Sequence, residues 1–428
     1  MSNYTETLQN AGEVILDIAQ IISTNGVGFD VTNQLVQIDL YEDIFSPFIK
    51  GTITLLESID LLNLFPLVGE EMITLGFHTP TCAPNHYRRQ QFYIYKMSDM
   101  TNTSFKSNLY VLHFISIESV TNLNTRISKT FSGKISDIAL DLLKGKTNLN
   151  TTKQVNVEAT PNSTKFIANY WSPMKCLTYI TSTSVNANKS PSYLFFENSQ
   201  GLNFASLETL YDGEVIHTFQ QNNYNRDVNT STGSTNKQVL KDYLKIQDFY
   251  MPQGFDYIDR CMGGMYGSQL ITIDPITKKY SSNNYAPLAD FPQYKHLNTN
   301  SLISNNTMAR SQQAILYLTK HYGNFSGYSD VTNASVIQQR TSLMKQAEAF
   351  KINISVWGRS DYTVGQKVYV ELPAKQAEIL NNNNTIDNVT SGNYLIAAAH
   401  HIINRVEHTM DVELIKDSLL IDINKGGK

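Results

Sequence analysis

One strand pattern is written twice in this chain, once near each end, and a duplicated β-unit constrains the fold more than any single motif. The first copy reads Phe48-Ile49-Lys50-Gly51-Thr52-Ile53-Thr54-Leu55, followed by Leu67-Val68-Gly69-Glu70-Glu71-Met72-Ile73-Thr74-Leu75. It continues through Gln91-Phe92-Tyr93-Ile94-Tyr95 and Tyr110-Val111-Leu112-His113-Phe114-Ile115-Ser116-Ile117. The second copy reads Phe350-Lys351-Ile352-Asn353-Ile354-Ser355-Val356, then Thr363-Val364-Gly365-Gln366-Lys367-Val368-Tyr369-Val370-Glu371-Leu372. Gly392-Asn393-Tyr394-Leu395-Ile396 and Thr409-Met410-Asp411-Val412-Glu413-Leu414 complete it. The interval from Gly365 to Tyr394 exceeds that from Gly69 to Tyr93, and Asn381-Asn382-Asn383-Asn384 reads as the surface loop behind the excess. Two similar β-units in one chain allow three chains to imitate six subunits. That points to architecture rather than catalysis.

The character of the chain changes between the copies. Residues 1–120 read as the first β-barrel domain, strand after strand from residue 14: Val31 to Tyr41 is rich in β-formers, and Met72 to Phe77 alternates with a period of two. Pro47, Pro66 and the Thr79-Pro80 and Ala83-Pro84 dipeptides punctuate the turns. Residues 121–212 read as an α+β insert. In it Ile138, Leu142 and Leu143 follow helical spacing as far as Gly145, a helix stop. In Trp171-Ser172-Pro173-Met174, Ser172 can cap free amides, and Pro173 takes the first helical position, where a missing N–H costs nothing. Leu177 and Ile180 or Thr181 then face a core. Ser192 to Phe204 reads as a hairpin turning between Asn198 and Gly201.

Residues 213–344 read as a second insert, loop-rich in part, with a strand leading back to the first fold type. Its stretch 220–236 is polar, and glycines and tyrosines cluster between 245 and 330. Ala334 to Ala349 reads as a helix that delivers the chain into the second β-unit, residues 345–420. Residues 421–428 read as a frayed tail. The expected fold class is α+β, mainly β: two similar antiparallel β-barrel domains with inserted α+β segments.

Composition narrows the function classes. The net charge of −4, from 34 basic and 38 acidic residues, provides no general basic field for nucleic acid. Cys82, Cys176 and Cys261 are widely spaced, so neither a disulfide framework nor a zinc site is expected. The start, Met1-Ser2-Asn3-Tyr4, has no basic and apolar signal pattern, and no apolar run approaches the roughly 20 residues that span a bilayer. An intracellular product without stable membrane insertion is expected.

The candidate chemistry is thin. His400-His401 resembles a metal pair, but neighbours in a strand point to opposite faces and cannot easily share one ion. Gly263-Gly264 and Gly267 lack the Lys-Ser/Thr and the βαβ setting of a phosphate loop, so a turn is the simpler reading. Glu70, Glu71 and Glu197 are the carboxylates available for glycoside hydrolysis, which requires a pair about 5–9.5 Å apart. Glu70 and Glu71, side by side where a strand begins, read as facing solvent or a partner chain. Arg88-Arg89, the tight basic pair of the first unit, reads as a solvated face. No catalytic, metal or cofactor residues are assigned.

With these residues in view, the chain resembles the baseplate central hub proteins of T4-like contractile-tailed bacteriophages, which are related to the hub part of type VI secretion spike proteins. Tyr41-Glu42-Asp43-Ile44-Phe45-Ser46-Pro47-Phe48, Gly51 and Leu67-Val68-Gly69-Glu70-Glu71 carry the resemblance in the first unit. Tyr170-Trp171-Ser172-Pro173-Met174 and Phe195-Phe196-Glu197-Asn198 with Gly201 and Phe204 carry it in the insert. Val364-Gly365 and Gly392-Asn393-Tyr394-Leu395-Ile396 carry it in the second unit. It covers roughly 30–212 and 345–418.

The resemblance implies two tube domains per chain, marked by Gly51, Gly69 and Tyr93 in one and by Gly365, Gly392 and Tyr394 in the other. Trp171, Pro173, Phe196, Asn198 and Gly201 would mark the insert. It further implies a homotrimeric, pseudo-sixfold ring joining a hexameric tail tube to a trimeric central spike, beside other baseplate proteins. DNA would pass through its lumen without sequence-specific binding. Such a subunit is made in the bacterial host cytoplasm, ends in the virion and has no catalytic residues to transfer. A hub-like part of a contractile injection or type VI secretion machine is one alternative, and a carbohydrate-active hydrolase using Glu70, Glu71 or Glu197 is another.

Overall fold

The computed structural model describes residues 10–57, 67–80, 82, 86–104, 107–221, 242–252, 254–304, 314–320, 333–374 and 386–424. The Asn381 to Asn384 run, Pro66, Ala83-Pro84, most of the polar stretch 220–236 and residues 425–428 lie outside the described residues.

The N-terminal unit contains β1 (Ile15–Ile22), β2 (Gly28–Asp30), β3 (Leu35–Asp43), β4 (Lys50–Glu57), β5 (Met72–His78), β6 (Arg88–Ser104) and β7 (Ser107–Ser116). Their order in the sheet is β3-β4-β7-β6-β5-β1-β2, and every neighbouring pair is antiparallel. In β4 the period of two turns Gly51, Ile53 and Leu55 inward and leaves Thr52 and Thr54 half-buried on the other face. Ile53, Leu55, Ile73, Phe92, Ile94, Leu112 and Phe114 fill one core.

The first insert runs through α1 (Ile117–Asn124), β8 (Ile127–Lys134), α2 (Ile135–Lys144), β9 (Val155–Val157), β10 (Ser163–Trp171), α3 (Pro173–Thr183), β11 (Tyr193–Asn198), β12 (Gly201–Ser206) and α4 (Leu207–Tyr211). The Ser172 hydroxyl accepts a hydrogen bond from the Lys175 amide at 3.3 Å, and Pro173 opens α3, as its sequence predicts. Ile138, Leu142, Cys176, Leu177, Ile180 and Phe204 share the insert's own core. Gly145 does end α2, but with φ −62°, not in the left-handed region. A Cβ there would lie 2.4 Å from the Asp141 carbonyl oxygen, so close packing, not backbone freedom, requires the glycine.

Beyond the insert come β13 (Val215–Gln221), β14 (Lys245–Ile246), β15 (Asp248–Tyr250), α5 (Tyr257–Met262), β16 (Ser268–Asp274), β17 (Lys279–Tyr285), α6 (Pro287–Asp290), β18 (Asn300–Ser301), β19 (Ala314–Thr319) and α7 (Ile337–Ala347). The C-terminal unit holds β20 (Phe350–Trp357), β21 (Lys367–Glu371), β22 (Gly392–Ile403), β23 (His408–Lys416) and β24 (Ser418–Leu419). β16, β17 and β19 form a small sheet of their own. By contrast, β13 pairs with β21 and β15 with β20, so residues of the 213–344 segment complete the C-terminal unit.

The two units share one pairing scheme. β4-β7-β6-β5 in the first matches β20-β23-β22-β21 in the second, antiparallel throughout. Gly69 and Gly365 occupy equivalent turns before β5 and β21, with φ +92° and +84°. The tyrosines are not equivalent. Ile94 faces Phe114 as Ile396 faces Leu414, which puts Phe92 in the place of Tyr394 and leaves Tyr93, one residue on, on the opposite face.

The two expected barrels are not seen as closed barrels among the described residues. β22 pairs with β3 from Ala398↔Asp43 to Ile403↔Ile38, so strands of both units belong to one 14-stranded sheet. The physical reason is two exposed ladders: β3 has an edge left free by β4, and β22 extends past the end of β21. Neither unit is a complete barrel of regular strands among the described residues. β2 and β3 do not pair, and the second unit comes round only through residues 244–250, which bond to β13 at one end and β20 at the other.

Candidate functional site at the joints between the units

Charged residues in phase with core residues build the joint. On β3, Glu42 follows Ile38 and Leu40 at intervals of two; on β6, Arg88 precedes Phe92 and Ile94 in the same way. Both therefore point inward. Arg88 is buried, which corrects the solvated face expected of Arg88-Arg89; Arg89 alone is exposed. Arg88 Nη1 donates to Glu42 Oε1 at 2.5 Å, Nε donates to the Ser360 carbonyl at 2.8 Å, and Nη2 donates to the Tyr362 carbonyl. Glu42 Oε2 accepts from Thr363 Oγ1 at 2.5 Å and from the Val364 amide at 3.2 Å. Thr79 and Ser360 exchange amide-to-hydroxyl bonds at 3.0 and 3.2 Å. One ion pair thus clasps β3 and β6 of the first unit to the 358–364 loop of the second.

The adjacent histidines divide across the seam. His400 stacks on Tyr41 at 4.4 Å and approaches Asp39 at 2.9 Å through Nε2. Burial works against the Asp39 carboxylate, yet hydrogen bonds from His400 and Gln37 hold it below its usual range. His401 turns to the interior, where its Nδ1 lies 3.0 Å from His408 Nε2. Burial, then the Arg88 charge, pushes both rings down, His408 to about 3. No cluster of three or more potential metal ligands occurs among the described residues.

A second joint fastens the insert. Glu197, at the end of β11, accepts from Lys153 Nζ at 2.6 Å, Ser116 Oγ at 2.5 Å and the Ile49 amide at 3.1 Å. Lys153 Nζ also reaches Glu118 at 2.6 Å. Burial alone would lower the Lys153 ammonium, but the Glu197 and Glu118 carboxylates together raise it. The hairpin tip reaches the other unit: Asn198 Nδ2 donates to the Val364 carbonyl at 3.3 Å, and the Ser199 amide donates to Thr363 Oγ1 at 3.1 Å. Phe196 packs on Gly365, where a Cβ would sit 3.2 Å from its ring. Gly201, at φ +135°, lets β12 turn beside the Gln154 backbone.

Of the residues singled out from sequence, Phe196, Asn198, Gly201 and Gly365 therefore meet at one joint. Gly51 lies against Phe114 within the first unit, Gly392 and Tyr394 lie in β22, and Trp171 stacks with Phe166 at 6.0 Å in the insert. Glu71 is not solvent-facing: its carboxylate accepts the Val68, Gly69 and Glu70 amides at 2.9, 2.9 and 3.2 Å and so fixes the turn at Gly69. Glu70 is exposed. Glu42 is read from sequence only within the Tyr41–Phe48 stretch, with no role of its own, and Lys153 not at all. The available signal was a charge in phase with apolar alternation on β3.

Between the first unit and the insert lies a cleft of about 530 Å³, lined by Arg89, Gln91, Ile117, Leu149, Lys153 and Gln200 among others. Glu197 is fully buried beneath this region and holds no free oxygen toward it. No helix among the described residues is long and apolar enough to cross a membrane.

This fold is that of phage tail proteins. It matches a tail protein from Neisseria meningitidis MC58 with a TM-score of 0.54 at 11% identity, covering 94% of this chain and 96% of that one. It matches the 43 kDa tail protein of prophage MuSo2 from Shewanella oneidensis with a TM-score of 0.53 at 9% identity, covering 94% and 98%. In sequence, the chain is similar to the protein described as "Probable baseplate hub protein gp334" of Vibrio phage KVP40, with 20% identity over 96% of this chain and 97% of the relative. No family model matches the sequence.

Proposed function

We propose that this chain is the structural hub subunit of a contractile phage baseplate, three copies closing into a ring with nearly sixfold symmetry. The observation that carries the reading is the repeated pairing scheme, β4-β7-β6-β5 and β20-β23-β22-β21, set side by side in one sheet. Three such chains present six similar units to a hexameric tail tube and three identical inserts to a trimeric spike. DNA leaves through the lumen, and the mild net acidity favours passage over retention of phosphates. Tail tube, central spike and other baseplate proteins are its partners, and the virion tail is its destination after synthesis in the host cytoplasm.

A structural role also accords with the fate of the carboxylates. Glu71 and Glu197 commit their oxygens to backbone and to Lys153, and the named relatives are hub and tail proteins. Native mass spectrometry tests the proposal. A species of three times the 48.3 kDa chain mass, with ring-shaped particles in electron micrographs, is expected. A monomer at all micromolar concentrations would sink it.

A further inference from the structure

We infer that β15 of one copy pairs with the outer half of β6 in the next copy, repeating between chains the seam that β3 and β22 make within one. The inference rests on the trimeric reading and names the strands that would carry it.

The correspondence follows from core pairs. Gly51↔Phe114 and Ile53↔Leu112 in the first unit match Ile352↔Leu414 and Ile354↔Val412 in the second. On that basis β6 matches β22. Both shift register after Ile94 or Ile396, and Met97 opposite Leu112 then takes the place of Ala399 opposite Val412; β6 shifts once more between Ser98 and Thr101, beside Asp99 at φ +57°, where β22 runs on regularly. The strand beyond β4 is β3 and the strand beyond β20 is β15, each antiparallel to its neighbour.

Their outer edges differ. β22 is flanked by β21 as far as Leu395 and by β3 from Ala398 onward. β6 is flanked by β5 as far as Tyr93, and no further strand pairs on that side among the described residues. β3 has two partners, β4 and β22, whereas β15 has only β20 among the described residues. Each open edge is the counterpart of an edge used inside the chain, and the strand polarities agree. An unpaired ladder of this kind is a template for another strand.

Both edges carry apolar groups exposed in the single chain. Tyr95, Met97 and Met100 lie along β6; Tyr250 ends β15, with Phe255 and Ile258 close behind it in sequence. The contact is heterologous, since one copy offers β15 and receives at β6. A rotation that closes after three copies leaves neither edge open.

Register makes the pairing specific. Tyr250 faces Asn353 as Asp39 faces Thr52, so Tyr250 stands where Asp39 does. Asp39 faces Ile402, and Ile402 faces Thr409 as Thr101 faces Leu109. Tyr250 of one copy should therefore lie opposite Thr101 of the next.

The test is oxidation of the full chain carrying Thr101→Cys together with Tyr250→Cys. Covalent dimers and trimers are expected on non-reducing gels, and neither single variant should give them. Met97→Asp, an exposed change checked for folding by circular dichroism, should remove the trimer from native mass spectra. A wild-type trimer with no cross-link in the double variant and with Met97→Asp still trimeric would overturn the seam while leaving the ring standing. A wild-type monomer would overturn both.

Discussion

Arg88 and Glu42 meet at 2.5 Å, with side chains no more than 4% exposed, although β6 and β3 are separated in the sheet by β7 and β4. Contact between strands so far apart in the ladder requires the sheet to curl, so the pair spans the interior. Its remaining hydrogen bonds go to Ser360, Tyr362, Thr363 and Val364 of the other unit. Curvature and the union of the units thus depend on the same two charges.

Removing one partner should be costly. Arg88→Met leaves Glu42 buried without its cation and is expected to destabilise the fold by about 3–5 kcal/mol, read from urea unfolding. Adding Glu42→Leu should restore only part of that, because Thr363 Oγ1 and the Val364 amide then lose their acceptor. Full recovery in the double variant would mean that the second unit is not held through Glu42.

Gly51 is constrained by space. A Cβ there would lie 2.3 Å from the Asp39 carbonyl oxygen and 2.5 Å from the Phe114 ring. Gly51→Ala should cost roughly 1–3 kcal/mol, because neither backbone nor a packed ring can yield easily. Gly254→Ala, whose nearest neighbour would be Met251 Sδ at 3.9 Å, should stay within about 0.5 kcal/mol. Thermal melts of the two variants make the comparison.

Acid should weaken the protein through His401 and His408. Unfolded rings bind protons below about pH 6.5. The folded His408 ring does so only near 3, and His401 is likewise lowered. The unfolded state therefore holds more protons across that window, and stability falls as pH drops from about 6.5, by up to about 1.4 kcal/mol per unit for each ring. His408→Gln should flatten that limb in melts recorded between pH 4 and 7. His296 acts in the opposite sense. Burial opposes its charge, but Asp417 at 2.6 Å and the Phe291 carbonyl raise it, so its support is present below about 6.5 and fades as pH rises through the raised value.

The sequence made local structure more legible than the joints. Ser172 and Pro173 announce α3 because a cap is written within four residues, and the Asn198–Gly201 turn is local in the same way. The repeat was visible in its glycines, yet matching Tyr93 with Tyr394 misplaced the face by one residue, since a strand inverts its side chains at each step. The β3–β22 seam was out of reach: its partners stand more than 350 positions apart, and an edge strand shows which faces are apolar, not which edge it will meet. Arg88 deceived for a related reason. Beside Arg89 it looks like surface, and only phase with Phe92 and Ile94 marks it as interior.

A seam of backbone hydrogen bonds between β3 and β22 does not behave as a hinge. Sliding one half along the other would have to break the whole row from Ala398–Asp43 to Ile403–Ile38 together, whereas a flexible tether would let the halves swing apart singly. A load arriving at one half is thus delivered to the other as shear on a stiff plate. In the hub role proposed above, that stiffness would hold the two halves of each subunit in line.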